Sequence, residues 1–352
     1  MFPSITLLDC TLRDGGLGLL DAYQKGYDTV SFDSSDRSAL IQHLSQARIN
    51  IIELGSIDPD LHNHTQFAVY PTLESLSKTI PNLHPEHVCY AALYRGPDTP
   101  LSQIPPFTSQ LCEFIRVIIR YSELQKSLDF CAALAEKGYK VCIQPMLTMR
   151  YLPQEIEQII IAANEMNAYA LYFVDSYGYM LPVDIDNLFN QYNATLNSKI
   201  KIGFHAHNNM SLAFSNTLHF LEYANTYSRD VIIDSCLTGL GQGAGNLQTE
   251  IISYFLNQRK HTHYNYTSVL DGCEIIDKLY QGNSGGYNVT HLLPALHKTA
   301  YKYATELRKR HRLSFAQIND ILSSMSPILR HRYTDENLDS LIKQYKQIKK
   351  IC

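Results

Sequence analysis

Eight short apolar runs recur along the chain, and each is bounded by Gly, Pro, Asp, Ser or His. They lie at residues 5–9, 50–54, 88–93, 114–119, 140–145, 170–174, 201–204 and 231–235. Their apolar positions are nearly continuous rather than alternating, which is typical of strands that a parallel sheet buries on both faces. The pattern therefore predicts eight parallel strands.

Segments with helical periodicity separate most of these runs. They lie at residues 38–46, 124–137, 153–166, 182–192, 210–223 and 247–256. Gly138 follows the second of them, and Pro153 and Pro182 open the next two, as helix ends and helix starts favour. The stretch 98–106 contains two adjacent prolines and does not fit a full helix. Eight strands that alternate with helices predict an α/β fold, a TIM (β/α)8 barrel. The alternative is an open, doubly wound sheet.

Beyond about residue 260 the strand pattern disappears. Residues 268–280, 291–310, 314–324 and 335–349 have helical periodicity instead. We therefore predict a barrel domain at 1–260 and a helical C-terminal extension at 261–352.

Composition limits the classes of partner. The chain has 352 residues, 45% of them hydrophobic, and a net charge of −4, so neither a nucleic acid nor an anionic membrane is an expected partner. The eight cysteines form no C-x-x-C pair, which favours a reducing compartment. The N-terminus lacks the pattern of a secretory signal, and no apolar run is long enough to span a membrane. We expect a cytoplasmic protein.

A pair of histidines follows the seventh predicted strand. TIM barrels build their sites at the C-terminal ends of the strands. His205 and His207 are two residues apart, so their side chains share one face of the strand and converge as a metal ion requires. The alternative is a hydrogen-bonded structural pair. The same spacing recurs at 62–64 and 261–263, but those pairs lie in polar loop sequence.

Charged residues follow the first predicted strand, and glycines follow the eighth. Asp14 could complete a set of two histidines and one carboxylate around a metal. The fixed charge and planar fork of Arg13 suit a carboxylate or a developing enolate, although an ordinary surface ion pair is the alternative. The four glycines at 239–245 allow close approach of the backbone, but their spacing is neither that of a Rossmann fold nor that of a P-loop.

Three motifs together resemble the DRE-TIM metallolyase superfamily. They are Leu-Asp-Cys-Thr-Leu-Arg-Asp-Gly-Gly at 8–16, Gly-Phe-His-Ala-His-Asn-Asn at 203–209 and Gly-Leu-Gly-Gln-Gly-Ala-Gly-Asn at 239–246. Within the superfamily, the chain most resembles proteins of the 4-hydroxy-2-oxovalerate aldolase kind. The resemblance covers about residues 5–258. It implies a divalent-metal-dependent carbon–carbon lyase or aldolase that acts on a 2-oxo acid through the pyruvate enolate.

The resemblance also implies the metal site. Its ligands would be Asp14, His205 and His207, with Asn246 as a further candidate that serves in some branches. Mn²⁺ or Mg²⁺ is favoured, while Co²⁺ and Zn²⁺ would also suit such a set of ligands.

For the substrate, the resemblance implies three more residues. Arg13 would bind the 2-oxo acid and stabilise its enolate, and Ser176 would contact the bound oxo acid. A tyrosine of the helical tail reaches the site in the aldolases, and the short match Gly-Tyr-Asn at 286–288 makes Tyr287 its counterpart here.

One departure concerns the catalytic base. The aldolases carry a catalytic histidine four residues after the arginine of the first motif, and this position is Leu17 here. The proton acceptor is therefore open. Asp21, Tyr23, Tyr287, His291 and a water on the metal are the hypotheses.

Other readings stay open at this point. Gln242 and Gly243 stand where the 3-hydroxy-3-methylglutaryl-CoA lyase branch has a cysteine, which argues against that branch. An acyl-CoA-dependent condensing enzyme is an alternative, although the sequence shows no surface for CoA. A non-catalytic barrel that binds a partner is another. The aldolases work with an acylating aldehyde dehydrogenase, so such a partner and a homo-oligomer are further hypotheses.

Overall fold

The computed structural model describes residues 3–26, 29–60, 64–82, 85, 87–259, 262–280 and 286–351, and of 348–351 the backbone alone. A closed barrel of eight parallel strands forms its centre, because the first strand pairs with both the second and the last. A two-residue strand, β3, pairs in parallel with the carboxyl-terminal end of β2. The strands are β1 (Ile5–Asp9), β2 (Ile51–Ile57), β3 (Val69–Tyr70), β4 (Cys89–Tyr94), β5 (Phe114–Ile119), β6 (Lys140–Pro145), β7 (Ala170–Asp175), β8 (Lys201–Ala206) and β9 (Val231–Ser235).

The predicted TIM barrel and its eight strands are confirmed. Every residue of β2, β7 and β9 is buried. Strands that are covered on both faces cannot show alternation, so their near-continuous apolar runs identified them in the sequence. Parallel pairing brings all eight carboxyl ends to one rim, where the loops carry the polar residues.

Helices cover the outside of the barrel and build the tail. Three of them were not predicted: the first begins with Gly-Leu-Gly, a poor helix former, the third has only five residues and the thirteenth only four. The barrel helices are α1 (Gly16–Gln24), α2 (Ser34–Gln46), α3 (Leu73–Ser77), α4 (Leu124–Glu136), α5 (Pro153–Glu165), α6 (Pro182–Thr195), α7 (Ala213–Thr226) and α8 (Thr249–Arg259). The later ones are α9 (Tyr266–Tyr280), α10 (Val289–Leu296), α11 (Lys302–His311), α12 (Phe315–Ser323), α13 (Pro327–Arg330) and α14 (Asp335–Ile351).

The single helix predicted at 291–310 is wrong. Helix α10 ends at Leu296, and Lys298 has a left-handed backbone with φ 52° that stops the helix. The chain turns there and restarts as α11. Between 98 and 106 the structure has only the short turn Leu101–Gln103, which confirms that this stretch does not form a full helix.

Three hydrophobic cores lie in the described part of the chain. The main core joins barrel strands to the helices around them, and it includes Val269 and Ile276 of α9. A smaller core consists of strand residues such as Leu8, Ile51 and Phe114. A third core holds the later helices together through residues such as Tyr303, Leu307 and Ile318. The boundary near residue 260 stays a prediction, and this packing groups α9 with the barrel. Over the residues that the structure describes, no helix combines the length and apolar character needed to cross a membrane.

Candidate metal centre and active site

A cavity of about 140 Å³ opens at the carboxyl ends of the strands. Its walls come from strands β4 to β8, from the loops after β1, β6, β7, β8 and β9, and from the segment that joins α10 to α11. Five residues that the sequence predicted line it together: Arg13, Asp14, Ser176, His205 and His207.

The loop after β1 places Arg13 and Asp14. The chain leaves the strand in one turn of π-helix, Thr11–Gly15, whose residues are all buried. The Asp14 N–H donates to the carbonyl of Cys10 at 2.9 Å, which fixes the turn. Gly16 follows because the chain packs closely there: a Cβ on Gly16 would lie 2.0 Å from the carbonyl oxygen of Phe67. The Gly-Gly end of the motif thus serves packing.

Asp14, His205 and His207 converge on one point. One ligand atom of each lies within 4.8 Å of the others, and all three residues are buried. The two Nε2 atoms are 3.3 Å apart. Two nitrogens that bind one ion at ~2.1 Å and at right angles would be roughly 3 Å apart, so the spacing suits a shared cation. The other two pairs with this spacing cannot be compared, because His62 and His261 lie outside the described residues.

Neighbouring acceptors turn both imidazoles towards that point. His205 Nδ1 lies 2.8 Å from a carboxylate oxygen of Asp234, and His207 Nδ1 lies 3.2 Å from the carbonyl of Gln242. We assign the ring protons to the Nδ1 atoms, because both partners are acceptors. A neutral imidazole with its proton on Nδ1 has a lone pair on Nε2, as in the carboxylate–histidine pairs that support metal sites. A metal ion would displace the second proton that the raised pKa of His205 favours at neutral pH.

The pKa values of the two histidines and of Asp14 are shifted in different directions. Burial lowers the pKa of His207 to about 4, and the charges of His205 and Arg13 act in the same direction. Burial also opposes charge on His205, but hydrogen bonds to Asp234 and Cys10 raise its pKa to about 9. Despite its burial, Asp14 keeps a pKa well below the usual range because Arg13 and the histidines are close. The site therefore holds an ionised carboxylate.

Asn246 lies beside Asp14 and has a free oxygen. Its Nδ2 donates to Asp14 Oδ2 at 2.5 Å. Its Oδ1 is buried and has no hydrogen-bond partner among the described residues, and an unsatisfied buried acceptor is costly. Two imidazoles, a carboxylate and this amide oxygen form a donor set that suits a divalent ion. The residues present fit a metal.

Replacing Gly241 by alanine should abolish tight metal binding. A Cβ there would lie 2.2 Å from Asn246 Nδ2 and 2.5 Å from Asp14 Oδ2, so the added methyl would push these ligands apart. Gly18→Ala is the matched control, since its Cβ would meet nothing closer than 3.5 Å. Isothermal titration with Mn²⁺ measures the effect. Equal affinities in the two variants would show that the ligands are not where we place them.

Two ion pairs hold the side chain of Arg13, which lines the cavity. Its Nε donates to Glu53 Oε2 at 2.7 Å, and its Nη1 is ion-paired with Asp14. Only 6% of the residue is exposed. Within the described chain, Nη2 makes no hydrogen bond, which leaves a donor for a ligand in the cavity.

A buried arginine in the barrel joins these groups, and we did not predict it. Arg116 on β5 donates to Glu53 Oε2 at 2.7 Å and pairs with Asp234 on β9. Arg116 therefore connects the carboxylate that holds Arg13 with the one that holds His205. A charged residue inside an otherwise apolar strand was the available signal for both Arg116 and Asp234.

Of the remaining predicted residues, Ser176 lines the cavity and Tyr287 does not. Ser176 lines the cavity, and its Oγ accepts the N–H of Leu147 at 2.9 Å. Tyr287 is 62% exposed and does not line the cavity, so its catalytic role stays a prediction. Tyr301 lines the cavity instead and donates to Gln242 Oε1 at 3.4 Å. No sequence pattern identified Tyr301, because the packing of the C-terminal helices on the barrel determines which tyrosine reaches the cavity.

Comparisons with known proteins find relatives among aldolases and lyases. A family model described as HMGL-like matches residues 108–276. The chain is 27% identical to 4-hydroxy-2-oxovalerate aldolase from Chloroflexus aurantiacus, over 72% of this chain and 69% of that one. It is 24% identical to oxaloacetate decarboxylase from Mycobacterium tuberculosis, over 72% and 70%. Hydroxymethylglutaryl-CoA lyase from Pseudomonas aeruginosa has the same fold, with a TM-score of 0.60 at 18% identity, over 81% of this chain and 96% of that one. These matches confirm the predicted resemblance to the DRE-TIM metallolyase superfamily.

The aldolase and decarboxylase relatives indicate an enzyme of the oxo-acid lyase type. Leu17 stands where the resemblance to the aldolases implied a catalytic histidine. Leu17 packs into the main core and does not line the cavity. Asp21 is ion-paired with Lys302, and Tyr23 is 51% exposed. Asp21 and His291 line a second cavity of about 240 Å³, and Tyr301 lines both this cavity and the catalytic one.

Proposed function

We propose that the protein is a divalent-metal-dependent lyase or aldolase that makes or breaks a carbon–carbon bond of a 2-oxo acid through the pyruvate enolate. The observation that carries the proposal is the convergence of Asp14, His205 and His207 beside Arg13 in one buried cavity. Mn²⁺ or Mg²⁺ is the favoured ion, and Co²⁺ or Zn²⁺ would also fit.

Each residue of the site has a separate role in this proposal. The two Nε2 atoms, the Asp14 carboxylate and Asn246 Oδ1 would hold the ion. When bound, a divalent ion supplies a Lewis acid that withdraws charge from a keto oxygen. Arg13 adds a fixed positive charge to the same cavity, and its Nη2 can donate to the carboxylate or the enolate oxygen. Ser176 stands across the cavity as a hydroxyl partner for the oxo acid.

Tyr301 is our proposed proton donor. Burial and the charges of Asp21 and Asp14 hold its pKa well above 10, so the phenol keeps its proton at neutral pH. Such a group can protonate an enolate carbon or hydrogen-bond to the substrate, but it does not act readily as a base. We infer that a proton donor has become more important than the base that Leu17 replaces.

Replacing Tyr301 by phenylalanine should lower kcat by about 10²-fold, because a positioned proton donor typically contributes at least that much. Tyr287→Phe is the matched control and should change kcat little, since Tyr287 is largely exposed. Steady-state assays of pyruvate formation measure both. The reverse order would return the role to Tyr287.

Decarboxylation of oxaloacetate is a second candidate reaction. It yields the same enolate and needs no base to remove a hydroxyl proton, so the loss of the histidine at position 17 favours it over cleavage of a 4-hydroxy-2-oxo acid. The relative named oxaloacetate decarboxylase supports this candidate.

Exchange of the C3 hydrogens of pyruvate in deuterated water tests the proposal, because it requires the enolate but no second substrate. The C3 proton would leave by the reverse of the step in which Tyr301 donates it, so we expect slow exchange. We expect exchange with Mn²⁺, none after chelation, and none in Asp14→Asn. Parallel assays of oxaloacetate decarboxylation and of thioester-dependent condensation separate the lyase from an acyl-CoA-dependent enzyme. Pure protein that binds no metal and exchanges no hydrogen would favour a non-catalytic barrel.

A further inference from the structure

A groove of about 570 Å³ lies directly beside the catalytic cavity. The two spaces share Ile118 and Met146 as walls. Met146 is 40% exposed, and the next residue, Leu147, donates its N–H to Ser176 of the catalytic cavity. A molecule that extends from the oxo-acid site past Met146 would therefore enter this groove.

The groove is rich in positive charge. Four arginines and two carboxylates line it. Two of the arginines are neutralised locally: Arg95 pairs with Asp58 at 3.1 Å, and Arg120 pairs with Glu123 at 3.0 Å. Arg120 also pairs with Asp98 outside the lining. The other two arginines form no ion pair within the described part of the chain.

Arg150 is the first of these unpaired arginines. It ends the short turn Thr148–Arg150 after β6. Its guanidinium lies 4.1 Å from the ring centroid of Tyr121, which also lines the groove. Stacking on an aromatic face orients a guanidinium while its N–H donors stay free at the edge. Arg150 is therefore oriented to bind an oxyanion.

Arg332 is the second, and the helical tail brings it to the barrel. The Tyr177 hydroxyl donates to the carbonyl of His331 at 2.9 Å, and the Tyr303 hydroxyl donates to the carbonyl of Arg332 at 2.8 Å. These two bonds fix the backbone of the segment above the barrel rim. Burial and the nearby charges of Arg150 and Arg330 keep the pKa of His331 below its usual range, which agrees with a positive potential in the groove.

We propose that this groove binds an oxyanion, a carboxylate or a phosphate, on the part of the substrate that lies beyond the bond that is broken. The inference rests on the proposed function, because it takes the catalytic cavity as the place of the 2-oxo acid. The substrate is then a 2-oxo acid with a second anionic end, and the aldehyde fragment carries that anion.

The reverse reaction makes this testable with simple aldehydes. A C3–H bond of pyruvate breaks, C3 bonds to the aldehyde carbon, and the aldehyde oxygen gains a proton, so atoms and electrons balance without another reactant. Succinic semialdehyde is compared with butanal for the carboxylate, and glycolaldehyde phosphate with glycolaldehyde for the phosphate. We expect one anionic aldehyde to exceed its neutral partner by about 10- to 100-fold in kcat/KM, as charged hydrogen bonds allow.

Substitution of the two arginines should remove that preference. In Arg150→Gln combined with Arg332→Gln, the ratio of kcat/KM between the anionic and neutral aldehydes should fall towards one. Arg259→Gln is the matched control, because Arg259 is exposed on α8 and lies outside the groove lining. It should keep the preference of the unaltered protein.

A second measurement does not depend on catalysis. Inorganic phosphate or succinate should slow the modification of Arg150 and Arg332 by phenylglyoxal, read by peptide mass spectrometry, and leave that of Arg259 unchanged. If pyruvate exchange fails but protection is seen, the proposed function falls and the anion groove stands. If exchange occurs, but neither protection nor an anionic preference is found, the groove proposal is overturned. Protection without any preference among aldehydes overturns its assignment to the substrate.

Discussion

Replacing Arg13 by alanine should lower kcat for pyruvate formation by about 10²–10³, which corresponds to the ~3–4 kcal/mol that one group stabilising an oxyanion typically supplies. The reason is geometric. Glu53 anchors the Nε of Arg13, so the guanidinium is fixed and its free Nη2 meets the cavity before any substrate arrives. A charge that is already in place needs no reorganisation when the enolate forms.

The control for this variant separates catalysis from metal binding. Arg13 also pairs with Asp14, so its removal takes a competing cation away from a proposed ligand. Affinity for Mn²⁺ should therefore be kept or increased while kcat falls at saturating metal. Arg259→Ala, a change on the outer surface of α8, should leave both quantities unchanged. Unaltered turnover in the Arg13 variant would remove this residue from the mechanism.

The fold was largely predictable because burial leaves a strong sequence signal. Strands covered on both faces require runs such as Val231–Ser235, and the helices between them require apolar positions at helical spacing. The wrong prediction, one helix at 291–310, depended on local backbone geometry. Lys298 has a left-handed φ, and lysine carries no sequence signal for that conformation. The pattern therefore predicted one helix where the structure has two.

The site was predictable where its residues follow one another in sequence. His205 and His207 share a strand face by their spacing alone, and Arg13 and Asp14 are neighbours in one loop. Tyr301 was not predictable, because it reaches the cavity through the packing of the tail on the barrel. The same holds for Arg332, whose position depends on contacts between segments that are far apart in the chain.

Substitution of Arg116 should affect stability, whereas substitution of Arg13 should affect turnover. Replacing Arg116 by methionine should reduce the free energy of unfolding by about 3–5 kcal/mol, the usual loss when one member of a buried ion pair is removed. Arg116 is 1% exposed and pairs with both Glu53 and Asp234. Without it, both carboxylates lose a buried cation partner, and the low dielectric of the interior makes them costly.

Urea denaturation measures this loss, and a surface pair provides the comparison. Lys278→Met removes an exposed helical pair with Glu274, so it should cost less than about 1 kcal/mol. Adding Glu53→Gln and Asp234→Asn to the Arg116 variant should recover part of the stability, because neutral amides need no counter-ion in the barrel. If Arg116→Met were as stable as the surface variant, the carboxylates would have to be protonated in the native state. Asp234 could not then act as the ionised partner that turns His205 towards the metal.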